Sequence, residues 1–104
     1  MGYSKVYIGT EIKLNINIGP LGDMTMDDYD FKVELYCSPA KSVIKEKRGM
    51  VRSDGSNYIA CIDTKEVGPG RLKGKVTAWI PDGDFDDQLR TEIDVFDTGI
   101  DILR

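Results

Sequence analysis

Apolar and polar residues alternate without a break along residues 71–80 of the chain. One phase holds apolar or small side chains, and the other holds polar ones together with a tryptophan: Leu72, Gly74, Val76, Ala78 and Ile80 against Lys73, Lys75, Thr77 and Trp79. A period of two with one apolar face is typical of an antiparallel strand that is buried on one side. We therefore predict a half-buried strand here, followed by a turn at 81–84 and a partner strand at 88–96.

The same period recurs earlier in the chain. Residues 11–18 and 29–37 alternate in the same way, residues 57–62 form another apolar stretch, and Val6 and Ile8 suggest a short first strand. Residues 41–52 fit neither the strand nor the helix period, and we interpret them as a strand broken near Gly49.

Turn residues separate these stretches, at 19–23, 53–56 and 63–70. No stretch keeps a helical period, so the pattern predicts one all-β domain over residues 1–104, an immunoglobulin-like antiparallel β-sandwich of about seven strands. The strand phases name its core: Leu14, Ile16, Phe31, Val33, Leu35, Val76, Ala78 and Ile93.

Length and charge change this picture little. A chain of 104 residues is long enough for one domain with its own core. Its net charge of -4 is spread along the sequence, and no basic stripe is present to bind phosphates, so we expect no nucleic-acid partner. The apolar runs are too short to span a bilayer, and the first residues lack the apolar region of a signal peptide, so we expect no membrane partner.

Chemistry is poorly represented among the residue types. The chain has no histidine, which is the most frequent general base near neutral pH and the most frequent metal ligand. No serine or cysteine has a recognisable activating base, and no glycine loop of the phosphate-binding type occurs. We predict a non-catalytic protein without a cofactor. Cys37 and Cys61 lack metal-type spacing, so we interpret them as small apolar residues near the core, and a disulfide or a reactive pair is the alternative.

Two groups of carboxylates are weak candidates for a cation site. Asp82, Asp84, Asp86 and Asp87 fall within six residues, but their spacing differs from that of the known calcium loop. Asp27, Asp28 and Asp30 lack the glycine and the terminal glutamate of that loop. We interpret the first group as a solvated loop between two strands and expect no metal there.

Three aromatic residues fall on the polar phase of their strands. Tyr36, Trp79 and Phe96 are therefore candidate binding or interface residues, because aromatic side chains on a solvent-facing surface often mark contact sites. In a hairpin of 71–80 with 88–96, Trp79 lies near the turn and Phe96 near the opposite end, so these two cannot form one compact patch. A bulge near Gly74 that turns Trp79 inward is the alternative.

The chain resembles the small immunoglobulin-like sandwich modules of baseplate and head-fibre proteins from phages and prophages of Bacteroides-type gut bacteria. The resemblance lies in the alternating strand 12–18 before a Gly-Pro loop, in the corner 63–72 that leads into a long strand, and in the closing strand that ends at 96–99. It covers most of the chain. It implies attachment to other virion proteins or presentation of a tip domain, often as trimers, and it carries no catalytic residues.

Two functions from different classes remain open. The first is a structural module of a phage or prophage particle, which assembles through its strands with other virion proteins or with further copies of itself. Such a protein would be found in the virion, or in the bacterial cytoplasm before assembly. The second is a binding module for a carbohydrate or another cell-surface ligand, with Trp79 and the acidic loop as its site.

Overall fold

The computed structural model describes residues 4–19 and 22–104, so Pro20 and Leu21 of the predicted turn at 19–23 lie outside the described residues. Eight strands occur in this part of the chain, namely β1 (Lys5–Tyr7), β2 (Glu11–Ile16), β3 (Asp30–Ser38), β4 (Lys41–Glu46), β5 (Val51–Asp54), β6 (Asn57–Asp63), β7 (Gly70–Pro81) and β8 (Leu89–Leu103). No helix long and apolar enough to cross a membrane is found among the described residues.

The strands form two sheets. Sheet A has five strands in the order β1-β8-β7-β3-β4, and sheet B has three in the order β2-β6-β5. The prediction of an all-β chain with two sheets is confirmed. Two details were wrong: residues 4–19 and 22–104 form eight strands instead of about seven, and β1 pairs with β8 in parallel.

The core lies between the sheets and follows the predicted phases of β2, β3 and β7. The buried residues of these phases include Ile12, Leu14 and Ile16 on β2 and Phe31, Val33 and Leu35 on β3. On β7 the buried phase runs through Leu72, Ala78 and Ile80. Of the eight predicted core residues, Val76 is half-buried and Ile93 is exposed.

The prediction for Ile93 was wrong because the two halves of β8 have different surroundings. Antiparallel pairing places Glu92 opposite Ala78 and Phe96 opposite Gly74, so the even-numbered residues of β8 share the inner face of sheet A. Ile93 is opposite Thr77 on the outer face and is 59% exposed. The apolar residues that β8 does contribute to the core come after the predicted strand, at Ile100 and Ile102.

Short 3₁₀ helices occupy three of the connections. Lys47–Gly49 forms one between β4 and β5, in agreement with the predicted break near Gly49. Met26–Asp28 and Thr64–Glu66 form the others, and each carries a capping box in which a side-chain oxygen of the residue before the helix accepts a backbone N–H. The buried residues Met26 and Thr64 anchor these two connections to the core.

Candidate protein-interaction surface

The first half of β8 is a free sheet edge. Leu89–Asp97 pairs with β7 on one side, whereas β1 reaches only Asp101–Leu103 on the other side. In the described parts of the chain, no strand pairs with the outer side of residues 89–97. We call this stretch the β8 edge.

The backbone of the β8 edge is presented outward at alternate residues. In an antiparallel ladder, hydrogen-bonded pairs alternate with pairs whose N–H and C=O groups point away from the neighbouring strand. The N–H of Asp82 donates to the carbonyl of Gln88, and the N–H of Asp101, on the far side of β8, donates to Ser4. The backbone N–H and C=O groups of odd-numbered residues therefore point away from β7. Thr91, Ile93 and Val95 present these groups to the open side of the strand.

The side chains on this edge differ between the two faces of the sheet. On the outer face, Ile93 and Val95 are 59% and 57% exposed. On the inner face, Glu92 and Asp94 border an open groove whose wall includes Ile18 and Val76. The groove exists because sheet B has fewer strands than sheet A and does not cover this end of β8.

A bulge separates the exposed half of β8 from its buried half. Leu72 pairs with Ile100 but Lys73 pairs with Asp97, which leaves Thr98 and Gly99 without partners on β7. The Thr98 hydroxyl donates to the Leu72 carbonyl at 2.8 Å, and Gly99 has a φ of 79°, a conformation that glycine adopts without strain. The N–H of Gly99 and the guanidinium of Arg71 both donate to Asp97, and they lower the pKa of that carboxyl. The bulge thereby fixes where pairing with β1 begins.

The three aromatic residues predicted as a binding surface do not come together. Tyr36 and Trp79 share the outer face of sheet A, but Tyr36 pairs with Lys73 and Trp79 with Asp30, six residues apart on β3. That separation corresponds to roughly 20 Å along a strand. Trp79 is half-exposed, with the ammonium group of Lys32 5.8 Å from its ring centroid.

Phe96 lies on the opposite face from Tyr36 and Trp79. Its ring lies across Gly74 and packs against the edge of the core, where it lines the groove with Ile16 and Ile18. The assignment of Phe96 to the polar phase was wrong. The register of β8 with β7 places its even-numbered residues on the inner face and its odd-numbered residues, including Ile93, on the outer face. The bulge proposed near Gly74 is instead on β8, and Trp79 keeps the outward phase.

The acidic loop between β7 and β8 uses several of its carboxylates to hold its own shape. Asp82 accepts a 2.7 Å hydrogen bond from Arg90 and one of 3.0 Å from the N–H of Asp84, while Asp87 accepts the N–H of Leu89. Gln88 adopts a left-handed φ of 62° at the end of the loop. Among the described residues, no three metal-ligating side chains converge on one point.

Asp27, one of the carboxylates at residues 27–30, has a structural role that the sequence did not predict. Asp27 accepts hydrogen bonds from Arg52 Nε and Nη2 at 2.9 and 2.8 Å, and a third from the hydroxyl of Tyr58. Lys47 Nζ donates to the backbone carbonyls of Asp27 and Tyr29, at 3.2 and 2.7 Å. The protein's own cations thus occupy the place where a bound cation was considered, and they tie the loop before β3 to strands β5 and β6.

This network predicts a specific pH dependence of stability. The Arg52 guanidinium, followed by the Tyr58 hydroxyl, holds the pKa of Asp27 well below its usual range. A carboxylate whose pKa is lower in the folded state stabilises the fold above its unfolded pKa of about 3.9, and that stabilisation is lost as the pH falls through its folded pKa. We expect Asp27→Asn to lower the melting temperature at neutral pH, and the difference from the unmodified protein to shrink below about pH 4.

Thermal unfolding followed by circular dichroism across pH 2–7 measures this difference. Asp84→Asn is the matched control, since the Asp84 carboxylate makes no hydrogen bond to any described residue. A constant difference between the Asp27→Asn and unmodified proteins over the whole pH range would show that the carboxylate does not act through its charge.

The two cysteines are separate free thiols. Cys37 packs against the core with its Sγ 3.6 Å from the Gly70 carbonyl, and burial raises the pKa of its thiol. Cys61 is exposed on β6, opposite Lys13. The prediction of a position near the core is therefore right for Cys37 and wrong for Cys61, because β6 turns its odd-numbered residues away from sheet A.

Comparison with protein-family models, curated proteins and solved structures finds no match for this chain.

Proposed function

We propose that the protein is a non-catalytic interaction module that binds other proteins by strand addition at the β8 edge. The observation that supports this most directly is the free edge itself, with outward backbone groups at Thr91, Ile93 and Val95. An unpaired row of N–H and C=O groups is a template for another strand, and exposed apolar side chains beside it add contact area. Natural edges are often blunted by proline, lysine or inward-pointing charges; residues 89–97 contain no proline or lysine, and their inward-pointing charges are Glu92 and Asp94.

The setting that we propose is a phage or prophage particle, with other virion proteins as partners. It is supported by the resemblance to immunoglobulin-like modules of baseplate and head-fibre proteins and by the two-sheet all-β architecture. The immunoglobulin-like classification is part of the same proposal. The antiparallel hairpins β3–β4, β5–β6 and β7–β8 support it, whereas the eighth strand and the parallel β1–β8 pair are departures from the seven-strand form.

A single substitution on the β8 edge tests the proposal. Ile93→Lys places a charge on the edge where a partner strand would lie, and the side chain is already exposed, so the fold should tolerate it. We expect this variant to lose binding to purified virions, measured by co-sedimentation of the fluorescently labelled protein. Val51→Lys is the matched control, because Val51 is 57% exposed and also lies on an edge strand, but in sheet B. Equal binding by the two variants would contradict a role for the β8 edge.

Carbohydrate or cell-surface binding is the second candidate function, and the surroundings of Trp79 favour it. The half-exposed ring separates two shallow depressions on the outer face, one of which contains Asp30, Lys32, Glu46 and Arg48. Aromatic faces flanked by polar groups suit sugar rings. Glycan-array binding that disappears in Trp79→Ala and persists in Ile93→Lys would favour this function over assembly at the β8 edge.

A further inference from the structure

Sheet A has a second free edge, on β4, with charges opposite to those of the β8 edge. β4 pairs with β3 on one side and with no described strand on the other. It carries Lys41, Lys45 and Glu46, with Lys47 and Arg48 directly after it. The β8 edge carries Arg90, Glu92, Asp94 and Asp97, so its net charge is negative, and it follows the acidic loop with Asp84, Asp86 and Asp87. We call the stretch Lys41–Glu46 the β4 edge.

The strand directions allow the two edges to meet. Within sheet A, β8, β7, β3 and β4 are each antiparallel to the next, so β4 runs opposite to β8. A second copy in the same orientation, placed beside β4, would therefore present its β8 edge antiparallel to β4. Six residues of β4 fit within the unpaired stretch 89–97.

The backbone groups of the β4 edge are presented in a matching way. Even-numbered residues of β7 hydrogen-bond to β8, so odd-numbered ones bond to β3, and the alternation continues across the sheet. On β4, Val43 and Lys45 bond to β3, which leaves Ser42, Ile44 and Glu46 with outward N–H and C=O groups. Their side chains lie on the outer face, as do those of Thr91, Ile93 and Val95, and Ile44 is 52% exposed.

One register aligns the outward backbone groups and forms one cross-strand pair of opposite charge, while Asp94 faces the uncharged Val43. With Ile44 opposite Ile93 of the second copy, Ser42 faces Val95 and Glu46 faces Thr91, so all three outward pairs align. On the inner face the same register places Lys45 opposite Glu92, which is a favourable cross-strand pair of opposite charge. Arg48, whose side chain is 88% exposed, then lies towards the acidic loop of the second copy.

We propose that the partner at the β8 edge is the β4 edge of a second copy of this chain, so that copies extend sheet A head to tail. This inference rests on the proposed function and specifies its partner. The contact is heterologous, because different surfaces meet, and repetition therefore produces a closed ring or an open filament. In the single chain Asp94 accepts the N–H of Val95 at 3.0 Å and Glu92 contacts Arg90 at 3.2 Å. Pairing with a second copy requires both carboxylates to leave these partners.

A charge exchange across the proposed pair provides the test. Sedimentation and light scattering over a concentration series should show concentration-dependent association of the unmodified protein. Lys45→Glu and Glu92→Lys should each weaken association about tenfold, because like charges would face each other. The double variant that carries both changes should associate again, because the pair is restored in reverse. Lys13→Glu, on the exposed face of sheet B, is the control and should associate like the unmodified protein.

Each outcome distinguishes the possible partners. Circular dichroism melts confirm that the variants are folded, and Ile44→Lys and Asp94→Lys provide a second variant for each edge. Association that survives Lys45→Glu and Ile44→Lys but not Ile93→Lys would mean that two β8 edges pair with each other, and would overturn the head-to-tail contact. A protein that stays monomeric yet binds virions in an Ile93-dependent way would overturn this inference and leave the proposed function intact. Head-to-tail association of the unmodified protein without any binding to virions would support this inference and overturn the phage setting of the proposed function.

Discussion

Leu35→Asp is expected to prevent folding of the domain. Leu35 is fully buried in the centre of β3, and its cross-strand neighbours are Gly74 and Val43, neither of which can pair with a charge. Removal of the leucine side chain alone costs about 2–5 kcal/mol, and a buried unpaired carboxylate adds several more. Domains of this size are stable by only about 5–15 kcal/mol, so the two losses together exceed or match the total.

The neighbouring change Val33→Asp is expected to be strongly destabilising but less severe than Leu35→Asp. Val33 is equally buried, yet its partner on β4 is the half-buried Lys45, whose ammonium group can offset part of the cost of the new charge. Urea unfolding followed by circular dichroism compares the two variants, with Val51→Asp at an exposed site of β5 as the control. A cooperative transition for Leu35→Asp at the midpoint of the unmodified protein would contradict the burial of β3 between the sheets.

The strands that the sequence predicted best are those buried on one face along most of their length. The alternation on β3 and β7 predicted their buried phase because the side-chain period of a strand is two and sheet B covers those strands. The turn residues at 53–56 and 81–84 predicted the hairpins β5–β6 and β7–β8, and the all-β class followed from the alternation and the turns together. These are local signals, since they depend on residues a few positions apart.

The errors occur where a strand's surroundings change along its length. The apolar side chains of Ile93 and Val95 suggested a buried phase, but sheet B does not extend over this part of β8, and its register with β7 directs those residues outward. The parallel pairing of Val6 with Ile102 joins the two ends of the chain, which no local pattern predicts. The number of strands and the phase of β8 therefore depended on long-range pairing.

The interaction surface could be predicted only in general terms. Free edges follow from the order of strands in a sheet, and that order depends on pairings between distant residues. The roles of the carboxylates also depend on distant residues, because Asp27 accepts hydrogen bonds from Arg52 and Tyr58, which lie in another part of the chain. The sequence showed which residue types were available, and the topology decided whether each one faces solvent, a partner or the core.

The contact between Gly74 and Phe96 provides a second prediction with a large effect. Gly74 is buried on β7, and a Cβ atom there would meet the Phe96 ring, at 2.6 Å from Cε1 and 2.8 Å from Cε2. No van der Waals contact is that short, so Gly74→Ala must push the ring away from the core and into the groove beside Val76. Overpacking of this kind costs about 1–3 kcal/mol. Gly49→Ala is the matched control, because nothing lies within 4 Å of a Cβ at Gly49.

The effect of Gly74→Ala should change sign when the ring is removed. In the Phe96→Ala background the space above Gly74 is empty, and alanine is favoured over glycine within a strand by about 0.5–1 kcal/mol. We expect Phe96→Ala alone to destabilise the domain. In that background, Gly74→Ala should recover part of the lost free energy of unfolding, whereas in the unmodified protein it should lower the free energy of unfolding. Urea unfolding of the four proteins in this double-mutant cycle measures the coupling. Equal costs of Gly74→Ala in the two backgrounds would show that the ring does not lie across Gly74, and would remove Phe96 from the inner face of β8.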